Sequence, residues 1–233
     1  MQFIEKNSFS VRSAVYHLKK DDNSLEFLLF PMIHIGSKEF YDEIARRLAG
    51  CDLIIIEGVD SRKVKLLTLS YRVVKKIRRM DLVTQQEGLE MSCFSGKMLN
   101  PDMEGHEFDE RWSSLPFSVR AQLLFLVPIY VVYLFLCGTR EMLAENIAVE
   151  DLPSSEETLF QDESYEKLDT LLVDERDRKL IDSIEKLHDS GRLDKQTIGI
   201  VYGAMHMRNV TDFLLERLNY RVANTEWVTV FDL

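Results

Sequence analysis

The chain has 233 residues, enough for one sizeable domain or two small ones sharing a site, and its 45% apolar and 29% charged residues are those of a soluble globular protein. That composition excludes a fibre, a disordered chain and a disulfide-bonded mini-protein. The formal net charge of −10 repels nucleic acid at long range, and no aromatic or base-reading groups accompany the basic residues, so no nucleic-acid partner is expected.

In chain order, Ser13 to His34 reads as a β-hairpin around the polar turn from Lys19 to Ser24. Its second arm, Phe27, Leu28, Leu29 and Phe30, is too uniformly apolar to face water on one side. Ser37 is placed as a helix N-cap before Phe40, Tyr41, Ile44 and Leu48 at helical spacing, and Gly50 is placed to stop that helix. Leu53 to Ile56 is short, apolar and β-branched, the pattern of a strand in a sheet covered on both faces. Thr197 to Tyr202 repeats it near the other end, followed by a helix carrying Val210, Phe213, Leu214 and Leu218. A strand pair over Arg221 to Ala223 and Trp227 to Phe231 closes the chain. The expected architecture is α/β: a single domain over 1–233, with α/β segments at 11–60 and 195–233 forming a mixed sheet with flanking helices. A long helical insert is expected over 61–190.

Within that insert, every charged residue from Arg62 to Arg79 is basic, whereas from Glu141 to Glu175 the acids dominate and Lys167 is the one base. Two solvated, mutually complementary faces are the simplest reading; an anionic membrane surface or an acidic partner for the basic stretch is the lesser one. Leu123 to Cys137 is the most apolar stretch, interrupted by Pro128. It falls short of the ~20 residues of a span and is read as a buried or partner-facing helix. A homodimer through 121–137 and membrane contact are its two further uses. Cys51, Cys93 and Cys137 form no CxxC pair and Met1 to Ser10 has no signal-like apolar centre. A cytoplasmic protein with reduced thiols is expected, with membrane association left open.

Three polar residues occupy one structural position in three elements: His34 and Glu57 end their strands and His206 follows a third. Ligands of α/β sheets bind beyond the carboxyl ends of strands, so these side chains are expected to share a crevice. Two imidazoles and a carboxylate can hold a divalent ion with one position open, or do acid–base chemistry without one. Without HExxH, GxSxG or a P-loop in the sequence, a helix-borne metalloprotease, a serine hydrolase and a nucleotide-dependent enzyme drop out.

The segment Pro31-Met32-Ile33-His34-Ile35-Gly36-Ser37, then a helix, then Leu53-Ile54-Ile55-Ile56-Glu57 with Asp60 and Arg62 beyond, resembles the opening of TraB/Tiki proteins. Gly199-Ile200-Val201-Tyr202-Gly203-Ala204-Met205-His206, a helix, and Asn219-Tyr220-Arg221-Val222 resemble their second motif, while Asp174-Glu175-Arg176-Asp177 resembles their Glu-Arg-Asp helix. Asn100-Pro101-Asp102-Met103-Glu104 resembles, more weakly, an acidic stretch ahead of the helical part. The likeness runs from about residue 27 to 223, and its specificity lies in the order and spacing of the motifs.

The resemblance implies a fold related to erythromycin-esterase and ChaN-like proteins, whose relatives include divalent-metal-dependent peptidases and proteins linked to shutdown of peptide pheromones. Carried over by position, His34, Glu57 and His206 would hold a divalent metal (manganese, cobalt or zinc). Glu57, Arg176 and His206 would be catalytic, and Arg62, Asp102 and Arg176 would bind a peptide substrate. Asp102 has a plainer use as a cap for the segment after it. The first motif departs at Pro31, where the family has glycine; proline fixes φ and donates no hydrogen bond. A metal-dependent hydrolase acting on peptides is therefore the leading expectation, and a non-catalytic peptide- or ligand-binding module in the same pocket is the alternative.

Overall fold

The structure is a computed structural model and describes residues 1–21, 23–68, 77, 80–145, 147, 167–168, 170–190 and 196–233. Most of the basic run 62–79 and of the acidic run 141–175, including the step at Leu152-Pro153-Ser154-Ser155, lies outside the described residues.

The expected hairpin is formed by β2 (Ser10–Lys20) and β3 (Asn23–Met32), antiparallel with Tyr16 opposite Leu29. A short β1 (Ile4–Lys6) extends it. Ser37 caps α1 (Lys38–Leu48) through the Phe40 amide at 3.2 Å. The far end of α1 is closed by Lys97, whose Nζ donates to the carbonyls of Leu48, Ala49 and Cys51. A cation on the last carbonyls of a helix satisfies groups that have no partner within it.

Beyond β4 (Ile35–Gly36), β5 (Leu53–Ile56) is followed by α2 (Arg62–Leu67), β6 (Val83–Thr84), β7 (Met98–Leu99), α3 (Gly105–Ser114) and α4 (Phe117–Cys137). The chain then runs to α5 (Glu175–Asp189), β8 (Thr197–Gly203), α6 (Met207–Asp212) and β9 (Arg221–Asp232). One mixed sheet has the order β1-β2-β3-β8-β5-β7, with β9 antiparallel along the other edge of β2; β4 and β6 make a separate pair. From β3 to β7 every neighbour is parallel, and β8, the last of these in the chain, is inserted between β3 and β5.

Ile54, Ile55, Ile198 and Ile200 are all sealed from solvent. Successive residues of a strand point to opposite faces, so burial of both Ile54 and Ile55 means that both faces of the sheet are covered. Gly199 lets α1 approach β8: a Cβ there would sit 3.0 Å from Cys51 Sγ and Leu48 Cδ2. Pro31 is accommodated within β3 opposite Tyr202, and its carbonyl accepts the buried Ser13 hydroxyl at 2.6 Å. A second, smaller core gathers Met103, Phe108, Trp112, Leu115, Val119 and Leu171.

Three expectations need correction. The middle of the chain is not one continuous helical insert, because β7 leaves it to join the main sheet beside β5; a two-residue strand has no periodicity to reveal it. The closing strand pair is a single strand, β9, paired with β2 from Arg221 to Asp232. Its polar centre, Asn224 to Glu226, is a solvent-facing edge rather than a turn. The Leu123–Cys137 stretch is helical but not buried: α4 seals only Val119 and Leu134, and Phe125, Ile129, Val132 and Leu136 stand exposed.

Replacing Gly199 with valine should overpack the α1–β8 contact and cost about 1–3 kcal/mol in urea unfolding. An unchanged midpoint would contradict this packing.

Candidate functional site

The parallel arrangement carries four strand ends to one side of the sheet, with Met32 opposite Gly203, Ile56 opposite Val201 and Ile55 opposite Leu99. Each strand hands on a polar residue within three positions of its end: His34 after β3, Glu57 after β5, Asp102 after β7 and His206 after β8. The first turn of α5 faces these ends with adjacent residues, Arg176 and Asp177. Adjacent helical positions diverge by about 100°, so the two side chains reach different strands.

Arg176 takes β5 and β7. Its Nη2 donates to Glu57 Oε1 at 2.6 Å and to Asp102 Oδ2 at 2.7 Å, its Nε donates to Asp102 Oδ1 at 2.9 Å, and its Nη1 donates to the Leu172 carbonyl at 3.3 Å. The planar guanidinium thus forks onto Asp102, the geometry in which arginine binds carboxylate most strongly. Asp102 is inaccessible to solvent and also accepts the Gly58 and Met103 amides. The Met103 bond is local, and the N-cap position of α3 is Glu104, so Asp102 does not cap that helix.

Asp177 takes β8. Its Oδ1 lies 2.6 Å from His206 Nδ1, and Asn209 Nδ2 donates to its Oδ2 at 2.5 Å. His206 is fully buried, with its ring edge-on to Tyr202. Among the described residues its Nε2 has no hydrogen-bond partner; it faces Glu57 Oε1 at 3.6 Å, too long for a hydrogen bond but close enough for charge to act. The other Glu57 oxygen accepts the Gly203 amide at 2.6 Å. A Cβ on residue 203 would lie 3.2 Å from that oxygen, so glycine is what allows this approach.

His34 is half-buried and is held by Gln85, through the Gln85 amide to the His34 carbonyl at 2.9 Å and through Oε1 at 3.2 Å from Nδ1. Tyr41, on α1, donates to the Ile33 carbonyl just before it. Its influence on Glu57 is one of charge. Arg62 opens α2 on the exposed surface, outside the hydrogen-bonded cluster. Glu57, Asp102, Arg176 and His206 are therefore brought together, His34 stands beside them, and Arg62 does not join.

Burial alone would push the Glu57 carboxyl up; His206, Arg176 and, more weakly, His34 reverse this and hold it far below the usual carboxylate range. Burial would likewise lower His206, but the hydrogen bond to Asp177 and the facing Glu57 carboxylate outweigh it and push the imidazole up to about 9. Arg176 is raised as well, against burial, by Asp102 and Glu57. The cluster thus sets three carboxylates against one guanidinium and one imidazolium.

Glu57 and Arg176 keep 14% and 11% of their side chains accessible, whereas Asp102 and His206 keep none, so the cluster meets solvent at its Glu57–Arg176 edge. A separate cleft of about 460 Å³, lined by Asp174, Asp177, Arg178, Ile181, Asn209 and Asp212, adjoins the cluster on the Asp177 side.

A divalent ion would find two facing donors, the buried His206 Nε2 and Glu57 Oε1, and the carboxylate on the other ring nitrogen is a common partner of metal-bound histidine. Among the described residues, however, no group of three or more His, Cys, Asp or Glu side chains is placed to hold an ion. The fit is incomplete. Comparison with protein-family models, curated proteins and solved structures finds no match.

Asp177 and Gly203 entered the sequence reading only as members of the resemblance's motifs, with no chemical role, and Gln85 did not enter it at all. Asp177 is legible in retrospect: it follows Arg176 at the start of a helix and differs from it by one helical step. Gln85 has no such signal, because its role depends on a two-residue strand pair that places it against His34.

The signs of the two shifts set a pH window. Raised from 6.5, His206 contributes stability that is complete below pH 6.5 and is lost as pH rises through about 9; about 3 kcal/mol is its upper bound. Lowered from 4.5, Glu57 contributes stability that is complete above pH 4.5 and is lost as pH falls towards its folded value. Urea titrations should show these two contributions jointly maximal between 4.5 and 6.5, and Asp177→Asn should flatten the alkaline limb. Imidazole NMR of that variant should show His206 titrating well below 9; an unmoved titration would reject the Asp177 bond as its cause.

Proposed function

We propose that the chain is a hydrolase whose reacting groups are Glu57 and His206, with peptides as substrate, the class implied by the resemblance to TraB/Tiki proteins. The observation that carries this reading is the Asp177–His206 hydrogen bond. It fixes one ring nitrogen at 2.6 Å from a carboxylate and leaves the other buried, without a partner among the described residues and facing Glu57. An imidazole so held has its orientation set for proton transfer at the second nitrogen.

In the ligand-free cluster His206 carries a proton at neutral pH, which suits it to protonate a leaving amine. Arg176 and the Gly203 amide keep Glu57 ionised and immobile, so the carboxylate orients water or substrate rather than storing a proton. Arg176 is a positioning residue: its Nε, Nη1 and Nη2 all donate within the protein. His206 and Glu57 alone do not complete a site for the divalent ion implied by the resemblance, since among the described residues His34 is not placed with them as a third ligand.

A second reading has support of its own. Arg176 is already engaged by two carboxylates, and a cluster held in place before any ligand arrives suits a module that binds a peptide or other ligand without cleaving it.

Protein purified without chelator should be assayed for bound metal and then for cleavage of a peptide library, with chelator and with added manganese, cobalt or zinc. The hydrolase reading expects turnover that falls about 10²–10⁴-fold in His206→Ala and Glu57→Gln. Peptide bound but intact in every arm would favour the binding module. Neither binding nor cleavage would reject both.

A further inference from the structure

We propose that the outer face of α4 seats in one leaflet of a lipid bilayer without crossing it. This stands apart from the hydrolase reading and does not depend on it.

A helix that is apolar all round belongs inside a protein or a membrane. Mean hydropathy over the most apolar window of α4 is 2.0, yet only 11% of that window is buried. Val119, Leu123, Tyr130 and Leu134 form the stripe that meets the body of the protein, the first pair against the smaller core and the second against the larger. Away from that stripe the helix exposes Phe125, Ile129, Val132, Phe135 and Leu136. With 21 residues, α4 is about 31 Å long. It lies along the protein as a fixed apolar ridge, and the protein body replaces the polar face of an ordinary interfacial helix.

Topology rules out a single crossing. Strands β3, β5 and β7 precede α4 and β8 and β9 follow it, yet all five belong to one sheet. Chain on either side of the helix therefore lies on the same side of a membrane.

Charge favours lipid over a second copy. Between Glu110 and Glu141 the charged residues are Arg111, Arg120 and Arg140, with no acid among them, in a chain of net charge −10. Arg140 is held by the Met80 and Asp232 carbonyls and Arg111, on α3, pairs with Glu175, but no acid lies along the ridge to repel anionic headgroups, and a partner copy would bring no acid from this stretch to pair with Arg120.

The test uses the full chain with vesicles of phosphatidylcholine, with and without phosphatidylglycerol. Wild type should co-sediment, more strongly with the anionic lipid and less at high salt. The double variant Phe125→Glu with Ile129→Glu should lose at least about 10-fold in binding while keeping its circular dichroism spectrum. Should that variant fail to fold, Ile129→Trp provides the readout through quenching by brominated lipid. Protease added outside the vesicles should cut tags at both chain ends. Wild type that ignores vesicles, a tryptophan that is not quenched, one protected tag, or a lipid-free dimer abolished by the double variant would each overturn the proposal.

Discussion

The structure turns on one guanidinium. Arg176 stands at the start of α5, where it bridges the residue that ends β5 and the acid that follows β7, forked onto Asp102 and singly bonded to Glu57. Breaking a buried ion pair by removing one partner costs several kcal/mol, whereas replacing the pair with apolar groups is often neutral. A network of this kind is thus poor evidence of selection for stability alone. Its consequence is geometric: Glu57 is held ionised beside a buried imidazole that an unbraced carboxylate would not face at a fixed distance.

The second half of the cluster follows from the same helical turn. Asp177 differs from Arg176 by one step around α5 and so meets β8 rather than β5 and β7. The insertion of β8 between β3 and β5 then sets His206 next to Glu57, and Gly203 provides both the amide and the room for it. Chain segments more than a hundred residues apart become one charged unit because the sheet is parallel from β3 to β7. Parallel strands end on one side, and the polar residues beyond them have one place to go.

Much of this was legible in the sequence, for physical reasons. Leu53 to Ile56 is a run that only a doubly covered strand accommodates, and Glu57 directly after it had to lie at the strand end. The same argument placed His206, and the Phe27–Phe30 arm placed His34. The two-residue strand β7 was hidden, because pairing that short is dictated by the neighbour and not by local pattern; Asp102 was found through its motif instead. The polar Asn224–Glu226 segment misled because an exposed edge strand and a turn share a composition. The helix from Phe117 to Cys137 misled in the other direction, since apolar sequence signals removal from water without saying whether protein or lipid removes it.

Arg176 and Asp102 form a single buried unit that ties α5 to the end of β7. A double-mutant cycle with Arg176→Met and Asp102→Asn, followed by chemical unfolding at pH 6, measures their coupling directly. The expected coupling is at least about 2 kcal/mol, the double variant being much less damaged than the single ones sum to. Additive effects within about 0.5 kcal/mol would show that the two side chains do not meet in the folded protein.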